Sequence, residues 1–176
     1  MKIYVARHGE TEWNRLNKIC GITDIGLTDE GRKQAEDLAK KLKETNISVI
    51  IASPLKRAVE TAGYISKALD VPIFTDERLT EQNYGIYEGT DRKGKEFLEN
   101  KHNFAYRYPE GESMMQVAYR TYGLIDEVRA KYRDKDVLFV CHGGAARVMN
   151  TYFIDMTNEE FFNFSMKNAD YEVYEV

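Results

Sequence analysis

Arg7-His8-Gly9-Glu10 directly follow the apolar run Ile3-Tyr4-Val5-Ala6, and His142-Gly143-Gly144 follow Val137-Leu138-Phe139-Val140-Cys141. Each run reads as a short buried strand, so each histidine should stand at a strand's carboxyl end, where open α/β sheets bind ligands. The glycines let the backbone approach a ligand closely. An imidazole beside a guanidinium suits attack on, or grip of, a group whose negative charge is spread over several oxygens, of which phosphate is the commonest. One histidine after a strand is ordinarily structural; two, each followed by glycine, point to a site. Arg57 lies in the first turn of the helix opened by Ser53-Pro54, where free backbone N–H groups and its own side chain could reach the same anion.

The elements that must position these residues follow from periodicity. Strands are expected near 2–6, 47–52, 71–74 and 136–141, with a last one at 171–175. Ala35, Leu38, Ala39 and Leu42 mark one face of a helix with Thr28 as N-cap, and Asp29 and Glu30 suit its N-terminal dipole. Ser53 is read as the N-cap of the next helix, Pro54 as its first residue, and Leu55, Ala58, Val59, Ala62, Ile65 and Leu69 as its buried side. Ser113 should cap a helix running to about Tyr132, with Ala118, Tyr122, Ile125 and Val128 inward. Strands alternating with helices predict a three-layer α/β/α fold: a mainly parallel central sheet, mixed if one edge strand is antiparallel, with helices on both faces. Residues 76–112 break the alternation, carry one short helix near 93–103, and read as a lid-like insertion over the site.

The 176 residues, 43% of them hydrophobic, fit one domain spanning 1–176. A net charge of −4 argues against a nucleic-acid surface, while a local Arg and His cluster still suits a small anion. Two cysteines, Cys20 and Cys141, are too few for a disulfide framework, and no metal-ligand spacing appears. No apolar stretch approaches the ~20 residues that span a bilayer, so a cytoplasmic location without membrane contact is expected. His102 is expected on the surface, Glu10 and Asp24 in loop-holding roles, and Phe161, Phe162 and Phe164 in the core.

Several separated segments together resemble the histidine phosphatase superfamily, the phosphoglycerate mutase-like proteins with an RHGE or RHGQ motif. They are Arg7 to Asn14, Ser53 to Ala62, Glu81 to Gly89, and His142-Gly143-Gly144. The resemblance implies that His8 is the nucleophile, forming a phosphohistidine, and that Arg7, Arg57 and His142 surround the phosphoryl oxygens. It implies a glutamate general acid and base in the loop Glu81 to Gly89; Glu81 is the candidate, protonated if burial favours the neutral form, and Glu88 the structural member. Asn14 and the Gly143 N–H are implied as further donors, Thr23 as a weaker substrate contact, and Tyr84 as a pocket residue.

The resemblance implies no metal and no cofactor, a small phosphorylated metabolite as substrate, inhibition by vanadate or phosphate, and a monomer or homodimer. Phosphomonoester hydrolysis is favoured, in a short branch resembling broad-specificity phosphatases and α-ribazole phosphatase. Cofactor-dependent mutases of this type are longer and carry an Arg-Arg pair in the insertion, where residues 90–112 hold separated Arg92 and Arg107. A mutase, and from another class a non-catalytic phospho-ligand binding protein, are the alternatives.

Overall fold

The five apolar runs are strands in the computed structural model, which describes residues 1–176: β1 (Lys2–Arg7), β2 (Ile47–Ala52), β3 (Ile73–Thr75), β4 (Asp136–Cys141) and β5 (Tyr171–Glu175). The helices are α1 (Glu12–Arg15), α2 (Asp29–Leu42), α3 (Lys56–Leu69), α4 (Lys95–Lys101), α5 (Met114–Lys131), α6 (Gly143–Phe153) and α7 (Asn158–Asn163). The sheet order is β3-β2-β4-β1-β5, all parallel except β5, which is antiparallel to β1 at the edge.

Period-two alternation sorts the strand residues onto two faces. Ile3, Val5, Val137, Phe139 and Cys141 face α5 and α6, while Tyr4, Ala6, Leu138 and Val140 face α2 and α3. This gives the expected three layers. α2 begins where the sequence places it, with Thr28 Oγ1 accepting from Gly31 N at 3.0 Å. α5 begins at a capping box between Ser113 and Gln116.

Four local readings need correction. β3 starts at Ile73 because Pro72 has no N–H for the ladder; its carbonyl accepts from Ile50 N instead. α3 starts at Lys56 with Leu55 as N-cap, and its buried stripe runs through Arg57, Ala58, Thr61, Ala62 and Ile65, which leaves Val59 37% exposed. In α5 the fully buried line runs through Val117, Thr121, Leu124, Ile125 and Val128. Ala118 and Tyr122 sit beside it against a satellite cluster of Met114, Val117, Val148 and Phe161. Of the three phenylalanines only Phe161 is buried; Phe162, beside it on the short α7, and Phe164, just past the helix end, are half-exposed.

The segment 76–112 builds a small core around Ile19 with Tyr87, Phe97 and Tyr108, and Tyr84 and Tyr106 pack on it. Tyr84 meets Tyr108 edge to face at 5.4 Å, the arrangement ring quadrupoles favour. His102 is exposed and leans on Phe162. No helix is long and apolar enough to cross a membrane.

Candidate active site

β1 and β4 are parallel neighbours with Arg7 opposite Cys141, so the next residues, His8 and His142, leave the sheet side by side. Their ring centroids are 5.1 Å apart, and His8 N continues the ladder to Cys141 O at 3.1 Å. His8 is 4% exposed and His142 is fully buried.

The hydrogen bonds define which ring nitrogens are bare. His8 Nδ1 lies 2.7 Å from Gly9 O, which can only accept, so Nδ1 carries the proton and Nε2 presents its lone pair. Arg57 Nε–H donates to that Nε2 at 3.3 Å and to His142 Nδ1 at 3.2 Å. A guanidinium has no acceptor, so His142 Nδ1 is also bare and His142 Nε2–H donates to Ser53 Oγ at 2.8 Å. Burial, then the Arg57 charge, holds both imidazoles well below the usual histidine range, so both are neutral near pH 7.

Arg57 is fully buried and has no carboxylate partner; Nη1 donates to Thr23 O at 2.9 Å and Nη2 to Gly21 O at 2.6 Å. A buried cation held only by carbonyls and neutral imidazoles is costly unless an anion completes it. Arg7 adds to the same demand. Its Nη1 donates to Met166 O at 2.6 Å, but its buried Nε has no partner. Burial, and next the charge of Arg92, pushes the Arg7 guanidinium down to about 10.

Glu81 reaches the site from the other side. Oε2 accepts from Gly144 N at 2.8 Å, and Oε1 accepts from Ala145 N at 2.9 Å and Gln82 N at 2.8 Å. Glu81 is buried, as the sequence reading supposed, and amides at the N-terminus of α6 orient its carboxylate. A Cβ on Gly144 would lie 2.5 Å from Glu81 Oε1, so only glycine admits this docking. Arg120, which periodicity marks merely as a helix residue, fastens the acid loop by donating to Arg78 O, Thr80 O and Glu81 O while paired with Glu112.

Asn14 Oδ1 accepts from Thr11 N, Thr11 Oγ1 and Asn168 Nδ2, which fills the carbonyl end and leaves the amide N–H groups free to donate. Gly143 N is likewise uncommitted, while the three amides after it bond Glu81 and His142 O. The Gly143 backbone lies against the Arg7 guanidinium, 3.4 Å from the place of a Cβ. Thr23 is placed differently from a substrate contact. Its amide and hydroxyl both go to the Glu88 carboxylate, which also accepts from Ile22 N and Tyr84 N, so the Thr23–Glu88 pair holds the Gly21 loop under Arg57. Asp24 accepts from Lys56 N at 2.8 Å at the start of α3, and Glu10 accepts from Thr28 Oγ1.

A cavity of about 160 Å³ lies beside this group; Arg7, Glu81, Tyr84, Gly143, Arg92, Lys101 and Arg147 contribute to its wall, while His8, Arg57 and His142 do not. Sequence reasoning missed Ser53 as the partner of His142, Arg120, Lys101 and Arg147, and it gave no role to Asn168, whose amide also donates to His8 O at 3.1 Å.

A mainly parallel sheet that sets two neutral histidines side by side, with a buried arginine from α3 between them, is the arrangement of a known family. Residues 3–176 match the model of the histidine phosphatase superfamily, branch 1, and the chain belongs to that family of phosphatase-type enzymes. Phosphoserine phosphatase 1 of Hydrogenobacter thermophilus is 30% identical over 98% of this chain and 85% of its own length. An Escherichia coli protein named as a probable phosphoglycerate mutase, GpmB, is 35% identical over 81% of this chain and 70% of its own. A mycobacterial glucosyl-3-phosphoglycerate phosphatase solved with vanadate superposes with a TM-score of 0.89 at 25% identity, over 98% of this chain and 90% of the other.

Proposed function

We propose that the protein hydrolyses phosphomonoesters of small metabolites through a phosphohistidine on His8. The observation that carries this reading is the Arg57 guanidinium, fully buried without a carboxylate and shared between the bare Nε2 of His8 and the bare Nδ1 of His142. An arriving phosphoryl group takes the Arg57 Nε–H from the imidazole, which frees His8 Nε2 to attack phosphorus. Arg7 Nε, the Gly143 amide and the Asn14 amide complete the donors around oxygens whose charge spreads in the transition state.

In this reading Glu81 passes a proton to the leaving alkoxide and, in the second step, takes one from the water that attacks phosphohistidine. Its position at the mouth of α6, beside the cavity, supports the assignment. Residues 76–112 act as a wall over the site, with Tyr84 facing the ligand; Thr23 is assigned to the loop and not to the substrate. A small phosphorylated compound is the partner, vanadate is an inhibitor, and neither nucleic acid nor membrane is engaged.

The test is hydrolysis of a panel that includes p-nitrophenyl phosphate and 3-phosphoglycerate, with 2-phosphoglycerate formation followed in the same samples. Phosphate release that disappears in His8→Ala is expected. Isomerisation without free phosphate would make the protein a mutase, and tight phosphate binding with no turnover would make it a binding protein.

A further inference from the structure

The carbonyls of Arg78, Thr80 and Glu81, in and before the acid loop, receive no backbone N–H. Beside the buried Leu79 and Glu81 such carbonyls need donors from elsewhere. One side chain supplies them. Arg120, from the second turn of α5, donates from Nη1 to Arg78 O at 2.6 Å and Thr80 O at 2.8 Å, and from Nη2 to Glu81 O at 3.1 Å. Its remaining N–H groups go to the Glu112 carboxylate, Nε to Oε1 and Nη2 to Oε2, both at 3.1 Å. All five donors of the guanidinium are then engaged.

Glu112 holds the other flank of Glu81. Its Oε2 also accepts from Asn83 N at 3.0 Å, its own N–H donates to Asn83 O at 2.8 Å, and its carbonyl accepts from Gln82 Nε2 at 3.0 Å. Arg120 therefore pins Thr80 and Glu81, and Glu112 pins Gln82 and Asn83. The side chains of this pair are only 14% and 24% exposed, against 64% and 47% for the surface pair Arg15–Glu12, so water screens it far less.

The pair is fixed to the same frame as the amides that receive Glu81. α5 and α6 share one core through Leu124, Ile125, Ala145 and Ala146, and Arg120 lies one turn before Leu124. The backbone of Glu81 is thus tied to α5, while its carboxylate reaches Gly144 N and Ala145 N on α6 at 2.8 and 2.9 Å. Packing of the two helices sets the span between these anchors.

We infer that the Arg120–Glu112 pair positions Glu81, holding the backbone on both sides so that the carboxylate meets the leaving group at one fixed place. Neither residue lines the cavity, so both act through Glu81 and not on the substrate. The inference rests on the reading of Glu81 as the proton donor. Proton transfer requires hydrogen-bond reach, and a displacement of about 1 Å can cost ~10²-fold.

Two variants test this. Arg120→Lys keeps the charge and loses the fork; Glu112→Gln keeps an oxygen for Asn83 N and loses the ion pair, and carries the same comparison if Arg120→Lys does not fold. Glu127→Gln is the control, because it cuts another tie of this segment to α5, the bond from Arg78 to a half-exposed carboxylate, without touching the residues around Glu81. In kcat/KM, both variants should lose about 10–10²-fold on an alkyl phosphate and less than about threefold on p-nitrophenyl phosphate, with no further loss when combined with Glu81→Gln. The second readout is amide hydrogen exchange. Gly144 and Ala145 are in the first turn of α6, where N–H groups have no helical acceptor, so the Glu81 carboxylate is what protects them. Their exchange should quicken about tenfold in both variants and stay unchanged in Glu127→Gln, while Ala146 N, bonded to His142 O, serves as internal reference. Equal losses on the two esters, a full loss repeated on the Glu81→Gln background, or unchanged exchange at Gly144 and Ala145 overturns the inference. Equal losses on the two esters in Glu81→Gln itself would instead overturn the acid assignment, and the exchange rates then decide alone whether the pair positions the carboxylate.

Discussion

The Nε–H of Arg57 is shared between His8 Nε2, at 3.3 Å, and His142 Nδ1, at 3.2 Å, so one buried guanidinium links the two imidazoles that the sheet sets side by side. Its remaining bonds, to Gly21 O and Thr23 O, fix the plane of the group. A lysine keeps the charge but cannot make these contacts together. Arg57→Lys is expected to lower kcat by about 10²–10³-fold with the fold retained, as loss of a charge-stabilising donor commonly does. Steady-state kinetics beside a circular dichroism melt checks this, and near-normal kcat would remove Arg57 from the transition state.

Gly144 and Glu81 give a second test. A methyl at Gly144 would lie 2.5 Å from Glu81 Oε1 and push the carboxylate off the α6 amides. Gly144→Ala should therefore mimic Glu81→Gln. Both should slow an alkyl phosphate far more than p-nitrophenyl phosphate, whose leaving group needs little help from an acid. Equal losses on the two esters would contradict the role given to Glu81.

Ser53 is expected to act through His142. Its hydroxyl accepts from His142 Nε2 at 2.8 Å and is fully buried. Ser53→Ala leaves that N–H unpaired, which costs about 1–3 kcal/mol of stability and loosens the tautomer of His142. The expected result is a lower Tm with kcat/KM reduced about tenfold and an altered pH profile. A lower Tm with an unchanged pH profile would show that Ser53 serves packing alone.

These residues also mark the limit of what the sequence discloses. The strands, the caps at Thr28 and Ser113, and the four residues His8, Arg57, Glu81 and His142 were legible because each depends on local pattern or motif. Ser53 was misread as an N-cap because serine before proline does favour one, yet a partner 89 positions away takes its hydroxyl. Arg120 looked like a helix-surface cation, but its bonds reach back about 40 positions to the acid loop. Val59 and Ala118 were placed inward because apolar residues alone defined the stripe, whereas the buried lines include the polar Arg57 and Thr61 of α3 and Thr121 of α5. Periodicity finds faces; it does not find long-range partners.

The lowered histidines predict a pH dependence. Both His8 and His142 have folded values below the ordinary ~6.5, so between those values and 6.5 the unfolded chain binds more protons than the folded one. Their contribution to stability is present above about pH 6.5 and is lost as pH falls toward the folded values. The urea midpoint of the ligand-free protein should decline from pH 7 to 5, and the acid limb of kcat/KM should lie below the ordinary histidine value. A midpoint that rises on acidification would contradict neutral buried imidazoles.

The central claim is attack by His8 Nε2 on phosphorus. The most direct measurement is to mix enzyme with a labelled phosphomonoester, quench rapidly in alkali, where nitrogen-linked phosphate survives, and locate the label by peptide mass spectrometry. The account predicts acid-labile phosphate on the peptide carrying His8, formed at least as fast as turnover and absent from His8→Ala. Turnover with no phosphorylated peptide, or hydrolysis that persists at full rate in His8→Ala, would contradict it.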